Sequence, residues 1–293
     1  MSPDLERNDR EPSVGPTRIQ RLAAALPERY VFQRAIGEGG AAHVILAHDT
    51  ERGHLVAVKI LRPEMATVVG ERRFQREIGI IQKFKHPNIV PLLDYGTVSG
   101  KIFFTTPFIE GDTLEERIKR ERRLSLADAV SITSDVAAAL DHAHSRGIIH
   151  RDVKPANILL AETGTVVADF GIARAVAVQN SETITISGVA LGTPEYMAPE
   201  QCSAMRELDV RCDVYALGCV VYEMLTGKPP FTGKTDQAIL AQQLHALPQP
   251  MRTSYPSIPS AVDAVVGKAL AKARAHRYYS AGEFFDALDE ASR

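Results

Sequence analysis

The chain has 293 residues, 45% hydrophobic and 24% charged, with 20 Gly and 17 Pro, a balance that excludes collagenous, low-complexity and largely disordered polymers. With 34 Lys+Arg against 36 Asp+Glu the net charge is -2, so no global basic field exists to hold a nucleic-acid backbone, and no nucleic-acid partner is expected. The three cysteines, Cys202, Cys212 and Cys219, lack C-x-x-C spacing and set up neither a disulfide framework nor a zinc site, which fits a cytoplasmic setting.

Residues 1–28 are polar, with Pro and charge and no apolar period, and read as a flexible tail too charged for a signal peptide. From Tyr30 the runs YVFQRAIG, AHVILAHD and HLVAVKIL, separated by glycine-rich or charged turns, predict three antiparallel strands. In ERRFQREIGIIQKFKH, the residues Phe74, Ile78, Ile81 and Phe84 recur every three to four positions and predict a helix with one apolar face. IVPLLDYGTV and KIFFTTPFI complete a small sheet. Beyond Gly111 the character changes. Ser125-Leu-Ala-Asp128 is a capping box opening a helix that turns Ala129, Ile132, Val136, Leu140 and Ala143 inward, and Gly147 stops it. Short strands ILL and TVVA flank the turn at Glu162–Gly164, and past 198 the pattern is helical, with further capping boxes at Ser260–Asp263 and Ser280–Glu283. The apolar stretch Tyr215–Leu225 is interrupted by Gly218 and Glu223 and is too short to span a bilayer, so it reads as a buried helix and no membrane segment is expected. A β-rich unit, 29–109, thus precedes a helical unit, 110–293.

The chemistry begins at IGEGGAAHV, where Gly37, Gly39 and Ala42 occupy a G-x-G-x-x-G frame ahead of Val44. A dinucleotide fingerprint requires a helix after these glycines, but HVILAHD reads as a strand, which leaves a hairpin turn or a glycine-rich flap. Val56-Ala-Val-Lys59 ends a strand in a lysine. Such a lysine is ordinarily just exposed, but Glu77 on the next helix offers a carboxylate to hold its ammonium against a phosphate. IIHRDVKPANILL at 148–160 and ADFG at 168–171 then set Asp152, Lys154, Asn157 and Asp169 on adjacent loops. Singly, each passes as a turn residue. Together they supply two oxygen ligands for a hard cation and one carboxylate to take a proton from a hydroxyl.

These motifs, with GTPEYMAPE at 192–200, DVYALG at 213–218 and Arg277, resemble the protein kinases, specifically the bacterial eukaryotic-like serine/threonine kinases, over about residues 29–290. One departure is Ala42 at the third glycine site. The resemblance implies an α+β, bilobal protein-kinase-like fold: a small antiparallel β-sheet lobe with one main helix, then a larger, mainly helical lobe. It implies ATP and Mg²⁺ as cofactors and protein substrates as partners. Gly37 and Gly39 would close over the phosphates, Lys59 held by Glu77 would pair with them, and Val44, Ala57 and Leu159 would sandwich adenine. The hinge would be Thr106 to Ile109, with Thr106 as gatekeeper, Pro107 offering only its carbonyl and Ile109 its N–H. Asn157 and Asp169 would hold Mg²⁺, Asp152 would act as base and Lys154 would neutralise the transferred phosphoryl. Lys154 and Thr193 resemble the serine/threonine branch.

The loop between Asp169 and Glu200 carries Ser181, Thr183, Thr185 and Ser187, and Arg151 and Arg174 stand ready to pair with a phosphate there, so autophosphorylation on Thr183 or Thr185 is expected, with self-association for transfer in trans. Glu200 with Arg277 is expected to form a buried ion pair, and Asp213 to hold the catalytic-loop backbone. Gly233-Lys-Thr235 lacks Walker A spacing and reads as a loop before a helix. His142 and His144, two apart on a helix, do not share a metal. Two rivals stay open: a nucleotide-binding pseudokinase scaffold, which the intact Lys59, Asp152, Asn157 and Asp169 argue against, and a small-molecule kinase, for which the GTPEYMAPE segment and the long loop ahead of it are ill suited.

Overall fold

The computed structural model describes residues 18–38, 42–62, 78–79, 81–170, 193–203, 205 and 207–293. Strands β1 (Tyr30–Glu38), β2 (Ala42–Asp49), β3 (His54–Leu61), β4 (Asp94–Val98) and β5 (Lys101–Pro107) form one antiparallel sheet in the order β1-β2-β3-β5-β4. Alternation along each strand divides the side chains between two faces. Ile45, Ala47, Val56, Val58, Ile60 and Phe103 bury on one, while Leu61, Ile102 and Phe104 bury on the other against Ile78 and Ile81. Phe74, expected on the same helical face, lies outside the described residues. The second face continues through Lys59, which pairs with Val44 and Phe104, and Ala57, which pairs with Leu46 and Thr106. One register therefore sets Val44, Ala57, Lys59 and Thr106 side by side.

Two expectations for this unit need correction. IVPLLDYGTV is strand only from Asp94; Pro91 cannot donate to a ladder, and Ile89 makes just a parallel bridge to Val167. Nor does the flexible tail extend to residue 28. Arg18–Ala24 is a helix, α1, and Ala23 and Leu26 pack into the sheet core, with Ile19 and Leu22 against it. The spacing Ile19, Leu22, Ala23, Leu26 is the i, i+3, i+4, i+7 pattern of one helical face, short enough to be masked by the surrounding charge.

The helical unit opens with β6 (Asp112–Thr113) and α2 (Leu114–Glu121), the latter closed by a capping box between Thr113 and Glu116. Helix α3 (Leu126–His144) starts at Ser125, whose side chain accepts the Asp128 N–H, and buries Ala129, Ile132, Val136, Leu140 and Ala143. Strands β7 (Ile158–Ala161) and β8 (Gly164–Val167) complete a three-stranded sheet with β6. The two units are stitched where Val90 N–H donates to Val167 O at 3.0 Å and Val167 N–H to Asn88 O at 2.8 Å.

Short α4 (Pro199–Cys202) precedes α5 (Arg211–Thr226), in which every residue from Cys212 to Thr226 is buried; this is the helix the apolar run predicted. It ends at Gly227, at φ 79°, where a Cβ would stand 2.2 Å from the Arg122 carbonyl oxygen, so only glycine fits. Around α5 pack α6 (Asp236–His245), α7 (Ser260–Ala269) and α8 (Ala281–Ser292). Thr235 caps α6, so the Gly233-Lys-Thr235 segment is a loop leading into a helix. Ser280 caps α8 as expected, and Phe284 and Leu288 are buried. Ser260 does not cap α7: Pro259 is the cap and Ser260 is already helical, while Asp263 instead accepts the Met251 N–H at 2.9 Å. No helix among the described residues is long and apolar enough to cross a membrane.

Candidate active site

The loop at His150–Asn157 is held from below by one carboxylate. Asp213, fully buried near the start of α5, accepts the His150 N–H on Oδ2 at 2.7 Å and the Arg151 N–H on Oδ1 at 2.8 Å, and His144 Nε2 lies 2.7 Å from Oδ2. Burial pushes this carboxyl up, but the His144 hydrogen bond and charge, His150 and the Arg151 N–H outweigh it and hold it below its ordinary range. That grip is needed because Arg151 sits at φ 70°, left-handed backbone that a non-glycine residue adopts at a cost of about 1–3 kcal/mol. Gln201 donates to the Arg151 carbonyl at 2.9 Å and fixes the same residue from the other side. His144, set aside as a metal ligand from its spacing, is thus a support for this loop; a histidine two turns upstream of the HRD segment was the only signal for it.

Above the support, several of the side chains expected at the site converge. Asn157 Nδ2 donates to the Asp152 carbonyl at 2.8 Å and to Asp152 Oδ2 at 3.1 Å, and Lys154 Nζ stands 2.9 Å from the same Oδ2. Lys154 Nζ also donates to Thr193 Oγ1 at 2.9 Å, so one ammonium bridges the expected base and the expected substrate loop. The next loop is drawn in by Ala168 N–H donating to Asn157 O at 2.9 Å and by His150 Nε2 against Ala168 O at 2.9 Å. Asp169 follows at φ 66°, a second left-handed position, with Phe170 buried against the His150 ring at 4.6 Å between centroids.

Asp169 meets the sheet through Lys59, whose Nζ lies 2.5 and 2.6 Å from its two carboxylate oxygens. Burial pushes the Asp169 carboxyl up; the Lys59 charge and hydrogen bond, with His150 and Lys154, more than offset this and keep it ionised below its usual range. Glu77, expected to hold Lys59, lies outside the described residues, as do Gly39, Arg174, Ser181, Thr183, Thr185 and Ser187. A Cβ at Gly37 would meet nothing within 4 Å, so there is open space beside that strand. Val44, Ala57 and Lys59 are half-buried and Thr106 is buried. Leu159 and Ile109 pack on the Val90, Val166 and Ala168 cluster. At the hinge Phe108 N–H donates to Leu55 O at 3.1 Å, and the Ile109 N–H takes no hydrogen-bond partner among the described residues.

The chemistry of this donor set suits a hard cation. Asn157 has committed its amide N–H groups to Asp152, leaving the carbonyl oxygen, and Asp169 contributes an ionised carboxylate from the adjoining loop. Among the described residues no cluster of three or more His, Cys, Asp or Glu is placed to hold a metal ion.

Comparison with known proteins agrees with this geometry. The protein kinase domain family model matches residues 30–283. Over 267 residues the chain is 41% identical to a probable serine/threonine-protein kinase PknB of Bifidobacterium longum, covering 87% of this chain and 38% of that protein. It is 39% identical over 265 residues to the serine/threonine-protein kinase PknD of Mycobacterium tuberculosis, covering 89% of this chain and 39% of the relative. The PknI kinase domain of M. tuberculosis superposes with a TM-score of 0.73 at 29% identity, over 92% of this chain and 99% of that one. The chain belongs to the protein kinase domain family and has its bilobal fold, a β-sheet lobe followed by a helical lobe. It spans about two-fifths of the length of the curated relatives it matches.

Proposed function

We propose that this chain is a protein serine/threonine kinase that transfers the γ-phosphoryl of ATP, with Mg²⁺, to serine or threonine hydroxyls of proteins. The observation that carries this is the convergence of two sets of contacts of 2.5–3.1 Å, Lys59 with Asp169 and Asn157 with Asp152, Lys154 and Thr193, joined where the Ala168 N–H donates to the Asn157 carbonyl. The kinase domain is taken as 29–290, divided at 109/110.

Asp152 accepts the proton of the acceptor hydroxyl, whose oxygen attacks the γ-phosphorus as the bond to the β-phosphate oxygen breaks and ADP departs. Lys154, already on Asp152 and Thr193, neutralises charge on the phosphoryl group in flight. Lys59, by exchanging the Asp169 carboxylate for phosphate oxygens, pairs its ammonium with the α- and β-phosphates, and Asn157 and Asp169 would then hold the metal. When bound, Mg²⁺ would supply positive charge that offsets the charge on the phosphates. Adenine lies between Val44 and Ala57 above and Leu159 below, with the Ile109 N–H and Pro107 carbonyl at its edge and Thr106 behind it. Gly37 with Gly39 and Ala42 leaves room for backbone to approach the phosphates, and open space beside Gly37 supports this.

Thr183 or Thr185 is proposed as the autophosphorylated residue, Ser187 as a neighbouring acceptor, and Arg151 and Arg174 as the phosphate's partners, with a second copy of the chain acting in trans and a cytoplasmic setting. Labelled-phosphate transfer by the wild type and Asp152→Asn tests the reading as a whole: transfer that depends on Asp152 supports it, and nucleotide binding without transfer favours the pseudokinase scaffold.

A further inference from the structure

The segment after Thr193 is anchored by a residue outside all the motifs above. Gln243 on α6 is fully buried, and its amide is committed at both ends. Nε2 donates to the Pro194 carbonyl at 3.0 Å and to the Glu195 carbonyl at 2.7 Å, and Oε1 accepts from the Tyr215 hydroxyl at 2.5 Å. Tyr215 lies on α5 just after Asp213, the residue that grips the catalytic loop. Its hydroxyl in turn accepts from Lys272 Nζ at 3.1 Å, and that ammonium also donates to Gln242 O at 3.3 Å and stands 4.0 Å from the Phe231 ring centroid. On the far side, Thr193 accepts the Lys154 ammonium that touches Asp152. A buried side chain with both donors on consecutive carbonyls fixes the direction of that backbone, because rotating it away would strand polar groups without water.

We propose that Gln243 is a positioning residue for phosphoryl transfer to protein: by holding the Pro194 and Glu195 carbonyls it sets where Thr193 stands against Lys154 and Asp152. This rests on the kinase reading, and it predicts a selective defect, since nothing in the path touches the strands expected to carry ATP.

The test uses the full chain with myelin basic protein as acceptor. Gln243→Met keeps the length and removes both donors; Gln243→Glu keeps an acceptor for Tyr215 and removes the same donors; Gln243→His presents a ring N–H at similar reach. The Met and Glu variants should lose about ten-fold in kcat/KM for the acceptor, with KM for ATP and nucleotide affinity within about two-fold of wild type. Amide hydrogen exchange at 195–197 should quicken in both, and the His variant should recover most of the loss. Either donorless variant, shown folded by its nucleotide affinity, suffices. Wild-type transfer with unchanged acceptor kinetics in such a variant overturns this proposal alone, as does a loss shared equally by ATP and acceptor. A wild type that binds nucleotide and transfers no phosphate overturns the kinase reading and this one with it.

Discussion

Asp213 holds two consecutive backbone N–H groups, those of His150 and Arg151, one on each carboxylate oxygen. The contact spans more than sixty positions of sequence and ties the His150–Asn157 loop to the most buried of the described helices. Its carboxyl sits below the ordinary 3.8, so its stabilisation is complete above that pH and is lost as pH falls through the lower, folded value. The Asp213 contribution to unfolding free energy, read by urea titration as the difference between wild type and Asp213→Asn, should therefore be flat between pH 7 and about 5 and decline below about pH 4, while His86 and His142, whose burial lowers their pKa, make total stability fall as pH drops through the ordinary imidazole range in both proteins. Asp213→Asn should be weaker than wild type at pH 7 and should decline less steeply in acid, the remaining slope coming from groups such as Asp169. Identical acid slopes would contradict the assignment.

Lys59 is the sheet's contribution to the site, and its side chain is only 18% exposed. Lys59→Met keeps the aliphatic stem and removes the charge, so the fold should survive with a lowered melting temperature, because Asp169 loses the partner that offsets its burial, while turnover falls by about 100-fold or more. With the ammonium gone, the Asp169 carboxyl should titrate at higher pH. Full activity in this variant would remove Lys59 from phosphate binding.

Arg277 and Glu200 form a bidentate pair at 2.6 and 2.8 Å, both side chains buried, and Arg277 also donates to the carbonyls of Ala271, Arg211 and Lys272. Arg277→Met should cost about 3–5 kcal/mol by leaving an uncompensated buried carboxylate. Adding Glu200→Gln should recover only part of that, because three carbonyls still lack their donor. Complete recovery in the double variant would show that those backbone contacts contribute nothing.

Much of the candidate site was legible because its residues are crowded into short runs: HRDVKPAN and ADFG place four candidate groups within two loops, and alternation along one strand puts Ala57 and Lys59 on one face, whereas Val44 came from the family resemblance and joins that face only through the β2–β3 register. What sequence hid were residues whose role depends on distant packing. Gln243 and Lys272 belong to no motif and find their shared partner Tyr215 only when α5 and α6 are brought together, and His144 gains meaning only from Asp213. Ser260 failed as a cap because the capping pattern fits any serine followed by Asp three residues on, and Pro259 before it is the better-set entry to the helix.

Phosphopeptide mapping by mass spectrometry of protein incubated with ATP and Mg²⁺ should find Thr183 or Thr185 modified, and the signal should vanish in Asp152→Asn. Active preparations with neither residue phosphorylated would exclude this loop as the autophosphorylation site.

The most direct measurement is transfer of labelled phosphate from ATP, with Mg²⁺, to a protein acceptor by wild type and by Asp152→Asn at equal nucleotide occupancy. The asparagine retains the side chain's shape and loses its basicity, so incorporation should fall by at least about 100-fold with nucleotide affinity unchanged. Equal incorporation by the two proteins would show that Asp152 is not the group that receives the hydroxyl proton.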